Sequence, residues 1–515
     1  MPRDLSGDGP VFQRLPSLSQ DYFDPWYPPA MEPTRNRLRN SAFAFLISSC
    51  LAWDSPPVAS TDVQKEAPAS AAASNHPEAT GQDWPAFLGP NTDARSTEKL
   101  PFGKNGKLSA EVLWRRPIGE GYSSPSTAEG RLFFFDRVGV HTRLVALHPE
   151  TGKEIWKTQY AMSYEDSYGF SNGPRSSPLI EAGKVYTFGV EGRLRCHDAA
   201  TGRLIWERDT EKDFGVVTNF FGVGSSPVIE GNLLIAMVGG SPPDSPGIQS
   251  GETQGNDTGI VAFHKDTGKT VYTLSNELAS YSSPVLATIG NRRFGFVFGR
   301  GGLVAFEPAS GKEDFSFPWR AKKLTTVNAA TPVVAGDRVF LTESYSPGGA
   351  LLQVHENGYK VLWEESKKRA KSLASHWSTP VFHDGYLYGS SGSGRGNAEL
   401  RSVHLESGKI EWTKPGLGRS SLLYADGHLL VQSENGPVLL IKAQSSGFEL
   451  VQEWDPWILP AITDGAGHRS GSKTSTPPPA YHSPAWAAPV LSHGTLFLRD
   501  AKHLIAVALS PDASP

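Results

Sequence analysis

Ser123-Ser124-Pro125 opens, and Thr151-Gly152-Lys153-Glu154-Ile155-Trp156 closes, the stretch whose reading decides the fold. The same frame returns at once, with Ser176-Ser177-Pro178 running to Thr201-Gly202 and Trp206. Further small-residue pairs open copies at Ser225, Ser282, Ala330, Ser378, Ser420 and Ala487, so successive starts lie 42 to 67 residues apart. A period of this length marks stacked supersecondary units, and four short strands fit in each.

The second copy shows how one unit is built. Pro178-Leu179-Ile180 starts it, and Gly183-Lys184 punctuates it as a hairpin turn. Val185 to Phe188 and Arg193 to Cys196 read as strands, rich in β-branched and aromatic residues or bounded by glycine. Thr201-Gly202 makes a tight turn, and Leu204-Ile205-Trp206 supplies the outer strand. The closing aromatic recurs as Trp156, Trp206, Tyr272, Phe315, Trp363, Trp412 and Trp454, a place suited to filling the gap between neighbouring units. Seven such ends serve eight openings. Glu111-Val112-Leu113-Trp114 reads as the missing outer strand, completing a last blade formed by residues 487–509. The expected fold is all-β, an eight-bladed propeller of four-stranded antiparallel blades closed by an N-terminal strand, with an open fan as the competing geometry.

Glycine (53) and proline (40) are abundant enough to punctuate that many strands. A net charge of -4 gives no reason to expect nucleic acid or an anionic membrane surface as partner. The two cysteines, Cys50 and Cys196, carry no expectation of a structural disulfide, and Cys196 reads as a buried apolar filler.

The amino terminus reads as exported. Residues 1–30 form a Pro-rich, patternless extension, and Met31 reads as the true start. Arg35, Arg37 and Arg39 precede an apolar run from Ala42 to Ile47, too short to span a bilayer, then Ser48, Ser49 and Cys50. Residues 31–50 therefore read as a signal peptide. Ile47-Ser48-Ser49-Cys50 resembles a bacterial lipobox, which makes Cys50 the lipidation candidate; an ordinary signal cleaved near Val58-Ala59-Ser60 is the alternative. Residues 51–82 read as a flexible linker, and 83–510 as the propeller.

Ala146-Leu147-His148-x-x-Thr151-Gly152-Lys153-x-x-Trp156 resembles the core pattern of the pyrroloquinoline-quinone (PQQ) type propeller repeat. The likeness covers about residues 110–510 and weakens at Asn357-Gly358 and Ser446-Gly447, in the fifth and seventh units. Asp83 to Pro90 also resembles the start of secreted bacterial proteins of this kind. The resemblance implies one of two branches. One holds quinoprotein alcohol-dehydrogenase-like propellers, which carry PQQ and a divalent cation such as Ca²⁺ in the channel. The other holds BamB-like binding propellers of the cell envelope, without cofactor. The chain lacks the vicinal cysteine pair of many such dehydrogenases, so the reading favours an exported scaffold with no cofactor. In that reading it is a monomer within a complex of periplasmic or outer-membrane proteins, touching membrane only through a lipid anchor. A PQQ-dependent dehydrogenase oxidising an alcohol or sugar is the alternative.

The residue before each small-residue pair falls at an equivalent place near the channel mouth. Round the ring these are Tyr122, Arg175, Gly224, Tyr281, Ala329, Trp377, Arg419 and Trp486, with His376 adjoining. Aromatics and guanidinium groups can plug the channel, floor a binding funnel, or stack and pair a planar anion such as PQQ. Two Gly/Pro-rich insertions stand outside the repeat, 239–259 and 455–485. The first offers Asp244, Glu252 and Asp257 as widely spaced cation ligands. The second offers Trp457, His468, Arg469, Lys473, Tyr481 and His482 for contact with a polymer or protein surface. Gly392-Ser393-Gly394-Arg395-Gly396 reads as a blade loop. No phosphate loop, zinc helix or C-x-x-C pair occurs.

Overall fold

The computed structural model describes residues 81–324, 326–457 and 483–513. The candidate signal segment, Cys50 and nearly all of the linker lie outside the described residues, as do His468, Arg469, Lys473, Tyr481 and His482.

Eight four-stranded antiparallel sheets form the eight blades. Blade 2, the unit parsed above, consists of Leu179–Glu181, Lys184–Phe188, Arg193–Asp198 and Leu204–Asp209. Blade 1 spans 126–161, and blades 3 to 7 span 228–274, 285–318, 333–364, 381–415 and 421–454. Blade 8 joins Val490–Ser492, Thr495–Arg499 and His503–Pro511 to an outer strand, Leu108–Pro117, from the other end of the chain. The ring is closed, and the open fan is ruled out. One opening departs from the pattern: Leu422 stands at Ser420-Ser421 where the other seven copies have proline.

The closing aromatic does more than fill a gap. Trp156 Nε1 donates to the Ala199 carbonyl at 3.1 Å, and a Cβ on Gly202 would lie 2.5 Å from the Trp156 ring. Trp156 therefore rests on the turn glycine of the following blade. Trp206 does the same on Gly268 with the Lys265 carbonyl, and Trp363 on Gly408 with the Leu405 carbonyl. Trp114 closes the circle on Gly152, donating to the Pro149 carbonyl at 2.7 Å. A register slip aims the ring: in seven blades the residue skipped on the outer strand immediately precedes the aromatic.

The weak fifth unit varies together with its neighbour. Blade 4 ends in Phe315, which has no donor, and it packs on Tyr359 of the Asn357-Gly358 turn at 4.8 Å. Trp454 of blade 7 faces a blade without a third turn, because the outer strand arrives from upstream, and its Nε1 has no partner.

The opening pairs have a role that their sequence does not announce. The Ser124 amide donates to Ser177 Oγ at 3.1 Å, Ser177 to Ser226, Ser226 to Ser283, Ser283 to Thr331, and Thr331 to Thr379. The second residue is thus a hydroxyl in these blades because it satisfies the amide of the blade before it.

Residues 83–100 run beneath the ring. Trp84 pairs with Thr127 in blade 1, the Pro85 carbonyl accepts from Ile180 in blade 2, and Leu88 packs with blades 6 and 7. Blades 2 and 6 are opposed in an eightfold ring, so residues 85–88 cross the channel axis. Leu100 N then reaches Asp426 of blade 7, and Glu98 accepts from His493 and Gly494 of blade 8. These contacts lie toward the first turn of each blade, and the channel is covered at that end. The first insertion, 239–259, emerges from the opposite end, between the second and third strands of blade 3.

Gly202 and Gly183 share a φ of 73°, yet only Gly202 has a ring against its missing side chain. Gly202→Ala should destabilise by about 1–3 kcal/mol more than Gly183→Ala in denaturant titrations, because only the former displaces an indole. Equal losses would show that the backbone angle alone requires glycine.

Candidate functional site

The connections at the uncovered end bring the predicted ring together as one contiguous cluster. Trp486 lies 4.8 Å from Tyr122 and 4.6 Å from Trp377 between ring centroids. Arg419 stands 4.5 Å over Trp377 and 5.2 Å over Trp486, and Arg175 lies 5.8 Å over Tyr122. Tyr281 joins through Phe221, whose amide donates to its hydroxyl at 2.7 Å. Each of these six side chains is half-buried. Gly224 and Ala329 are the two small positions, and Tyr281 packs directly on Gly224.

Both arginines of the ring already have carboxylate partners. Arg419 pairs with Glu434 at 2.6 Å, and Trp486 Nε1 donates to the same carboxylate at 2.8 Å. Arg175 pairs with the buried Asp166 at 2.7 Å. Burial works against the Glu434 charge, yet the hydrogen bonds and charge of Arg419, with the Trp486 indole, hold its carboxyl below the usual range. Sequence reading missed both acids. Asp166 lies in an irregular connection between blades, and Glu434 in a turn with no motif around it.

Phe170, Phe221 and Tyr345 were also missed. Tyr122 Oη donates to the Phe170 carbonyl at 2.9 Å, and the Phe170 ring lies 5.9 Å from Trp486. Tyr345 Oη and His376 Nε2 are 2.8 Å apart, and His376 meets Trp377 edge-on at 4.8 Å. His376 is as close to the ring as predicted. Burial, and then the charge of Arg419, push its pKa down to about 3, so it is neutral and weakly basic at physiological pH.

The first insertion folds against the rim. Ile248 packs with Phe220 and Val327, and a cavity of about 290 Å³ lies among Tyr164, Glu165, Ser167, Thr218, Asn219, Phe220, Gly247 and Ile248. Asp244, Glu252 and Asp257 do not form a cation site: among the described residues no three His, Cys, Asp or Glu side chains converge to hold a metal. Trp457 is likewise no surface contact. It is fully buried, donating to the Gly436 carbonyl at 2.9 Å. Cys196 is buried within the cluster between blades 2 and 3, as expected of an apolar filler.

His376 has a folded pKa below its unfolded value of about 6.5, so its contribution to stability is complete above pH 6.5 and is lost as pH falls toward 3. The half-buried position keeps the slope below about 1.4 kcal/mol per pH unit. His376→Asn should flatten the fall in stability between pH 6 and 4, read from urea midpoints at a series of pH values. Glu434→Gln leaves Arg419 without its counter-charge and should cost about 3 kcal/mol at pH 7, a difference that shrinks once acid protonates the wild-type carboxyl.

Comparison with known proteins follows the fold. The family described as outer membrane protein assembly factor BamB matches residues 105–242, 140–364 and 258–448, which overlap along the propeller. BamB from Moraxella catarrhalis superposes with a TM-score of 0.51 at 13% identity, over 79% of this chain and 99% of that one. The quinohemoprotein alcohol dehydrogenase of Comamonas testosteroni gives 0.55 at 12% identity, over 82% and 80%. At these identities the likeness shows the fold alone. Quinoprotein alcohol dehydrogenase PedH of Pseudomonas putida is 30% identical over 124 residues, 23% of this chain, and the match spans about a fifth (19%) of that relative's length. With the repeat, the closed ring and most of the propeller matched, the chain belongs to the BamB family of PQQ-like repeat propellers.

Proposed function

We propose that this protein is a non-catalytic binding propeller of the bacterial envelope, holding a protein partner against the half-buried floor of Tyr122, Trp377 and Trp486. The observation that carries this reading is the internal pairing of the ring: Arg175 and Arg419 are answered by Asp166 and Glu434. That leaves aromatic edges and neutralised arginines, the side chains enriched in the energetic centres of protein interfaces. The cover formed by residues 83–100 supports access from the other end, where the first insertion emerges.

PQQ with Ca²⁺ fits these residues poorly. A tricarboxylate gains nothing from guanidinium groups already in ion pairs, and the described residues bring no acidic cluster to hold the cation. The family name supports an envelope location, and the charged, apolar and small-residue order of 31–50 supports export, with Cys50 as the lipid attachment point. The partners in this reading are outer-membrane assembly proteins, and the protein works as one copy within their complex.

Reconstitution with PQQ and Ca²⁺ should give neither stoichiometric quinone absorbance nor dye-linked oxidation of alcohols or sugars; turnover would sink the scaffold reading in favour of the dehydrogenase class that PedH represents. A photo-crosslinker at position 377, used in solubilised outer membranes, should give adducts with an outer-membrane assembly component. Those adducts should fall at least tenfold on Trp486→Ala.

A further inference from the structure

Blade 4 carries a buried charge that the ring does not use. Arg300 sits in the turn between Arg292–Phe298 and Gly302–Glu307 and is only 4% exposed. Its Nη2 donates to the Leu324 carbonyl at 2.5 Å, and its guanidinium lies 5.1 Å over the Phe220 ring. Nη1 is buried without a partner, and among the described residues no carboxylate forms an ion pair with it. Arg320 Nη2 reaches the same Leu324 carbonyl at 3.4 Å. Two guanidinium groups thus converge on one neutral acceptor. Lys322 and Lys323 follow directly, both exposed and neither ion-paired among the described residues.

The acids nearby answer this charge incompletely. Glu277 and Glu343 both feel Arg320, but burial raises both carboxyls, Glu343 to about 7. Glu277 is moreover tied to the Gly301 amide. Burial and the charge of Arg320 lower Arg300 to about 10, and Tyr281 and Glu277 offset this only in part. A buried polar atom with no protein partner is satisfied by water, an ion or a ligand, and here the excess of positive charge favours an anion.

We propose that Arg300 and Arg320, with Lys322 and Lys323 at the rim, form a binding site for a phosphate-bearing group. A phosphate supplies up to two negative charges and three strong acceptors, matching four cations better than a single carboxylate, and its oxygens suit the guanidinium fork. The group can be a soluble phosphate or the headgroup of a phospholipid. The site adjoins the aromatic cluster through Phe220 but uses none of Tyr122, Trp377 and Trp486, so its test is independent of the scaffold reading.

Two arms test it on the mature chain. Calorimetric titration with inorganic phosphate should detect binding that weakens about tenfold or more in Arg320→Gln. Flotation with phosphatidic acid vesicles, against phosphatidylcholine alone, should show association that Lys322→Ala with Lys323→Ala reduces severalfold. Phosphate binding without flotation supports the site and assigns it to soluble ligands; binding in both arms supports it as a headgroup site. No phosphate or vesicle binding by the folded wild type would overturn it, as would binding unchanged in Arg320→Gln. Arg320 is half-buried, so that variant remains informative even if Arg300→Gln fails to fold, a point far-UV circular dichroism decides.

Discussion

An indole laid on the next blade's turn glycine is the contact from which the rest of this molecule follows. A strand pair with one flat apolar face is marginal in water, and each blade here is stabilised by being covered on both sides. The Trp–Gly contact fixes the distance between blades, since any Cβ at Gly152, Gly202 or Gly268 would intrude on the ring above it. The accompanying indole hydrogen bond fixes the angle, and in seven blades a register slip beside the aromatic aims it. Made at four of the eight junctions, Trp114's included, it frames a channel whose inner rim is joined by a ladder of Ser and Thr hydroxyls.

That architecture explains why the two ends of the channel differ. First turns and third turns fall on one face, and the chain preceding blade 8's outer strand passes across that face and covers it. Second turns and inter-blade connections fall on the other, where length is free to vary without disturbing the indole contacts. The first insertion and the aromatic cluster belong to that second face. Three arginines of that face differ by partner: Arg175 and Arg419 are neutralised from within the cluster, whereas Arg300 forms no ion pair among the described residues.

Legibility in the sequence followed this division between local and distant contacts. The strands of blade 2 were readable to within one to three residues because turn chemistry and strand composition are local properties. The ring positions Tyr122, Arg175, Tyr281, Trp377, Arg419 and Trp486 were readable because the repeat assigns each an equivalent place. Their partners were not. Asp166, Glu434, Phe170 and Phe221 come from irregular segments, where no periodicity says which way a side chain faces. Trp457 misled for the same reason: an aromatic in a Gly/Pro-rich stretch reads as exposed until a neighbouring turn supplies its acceptor.

By itself, the sequence determined the number of blades, their order, the use of an N-terminal strand to complete the eighth and the residues that meet at the channel mouth. All of these follow from a repeat whose period and turn residues are written along the chain. Only the tertiary structure decided what those mouth residues do electrically, which end of the channel is covered, and where a cation remains unanswered. Charge pairing depends on distances between residues on different blades, and ring closure sets those distances rather than separation along the chain.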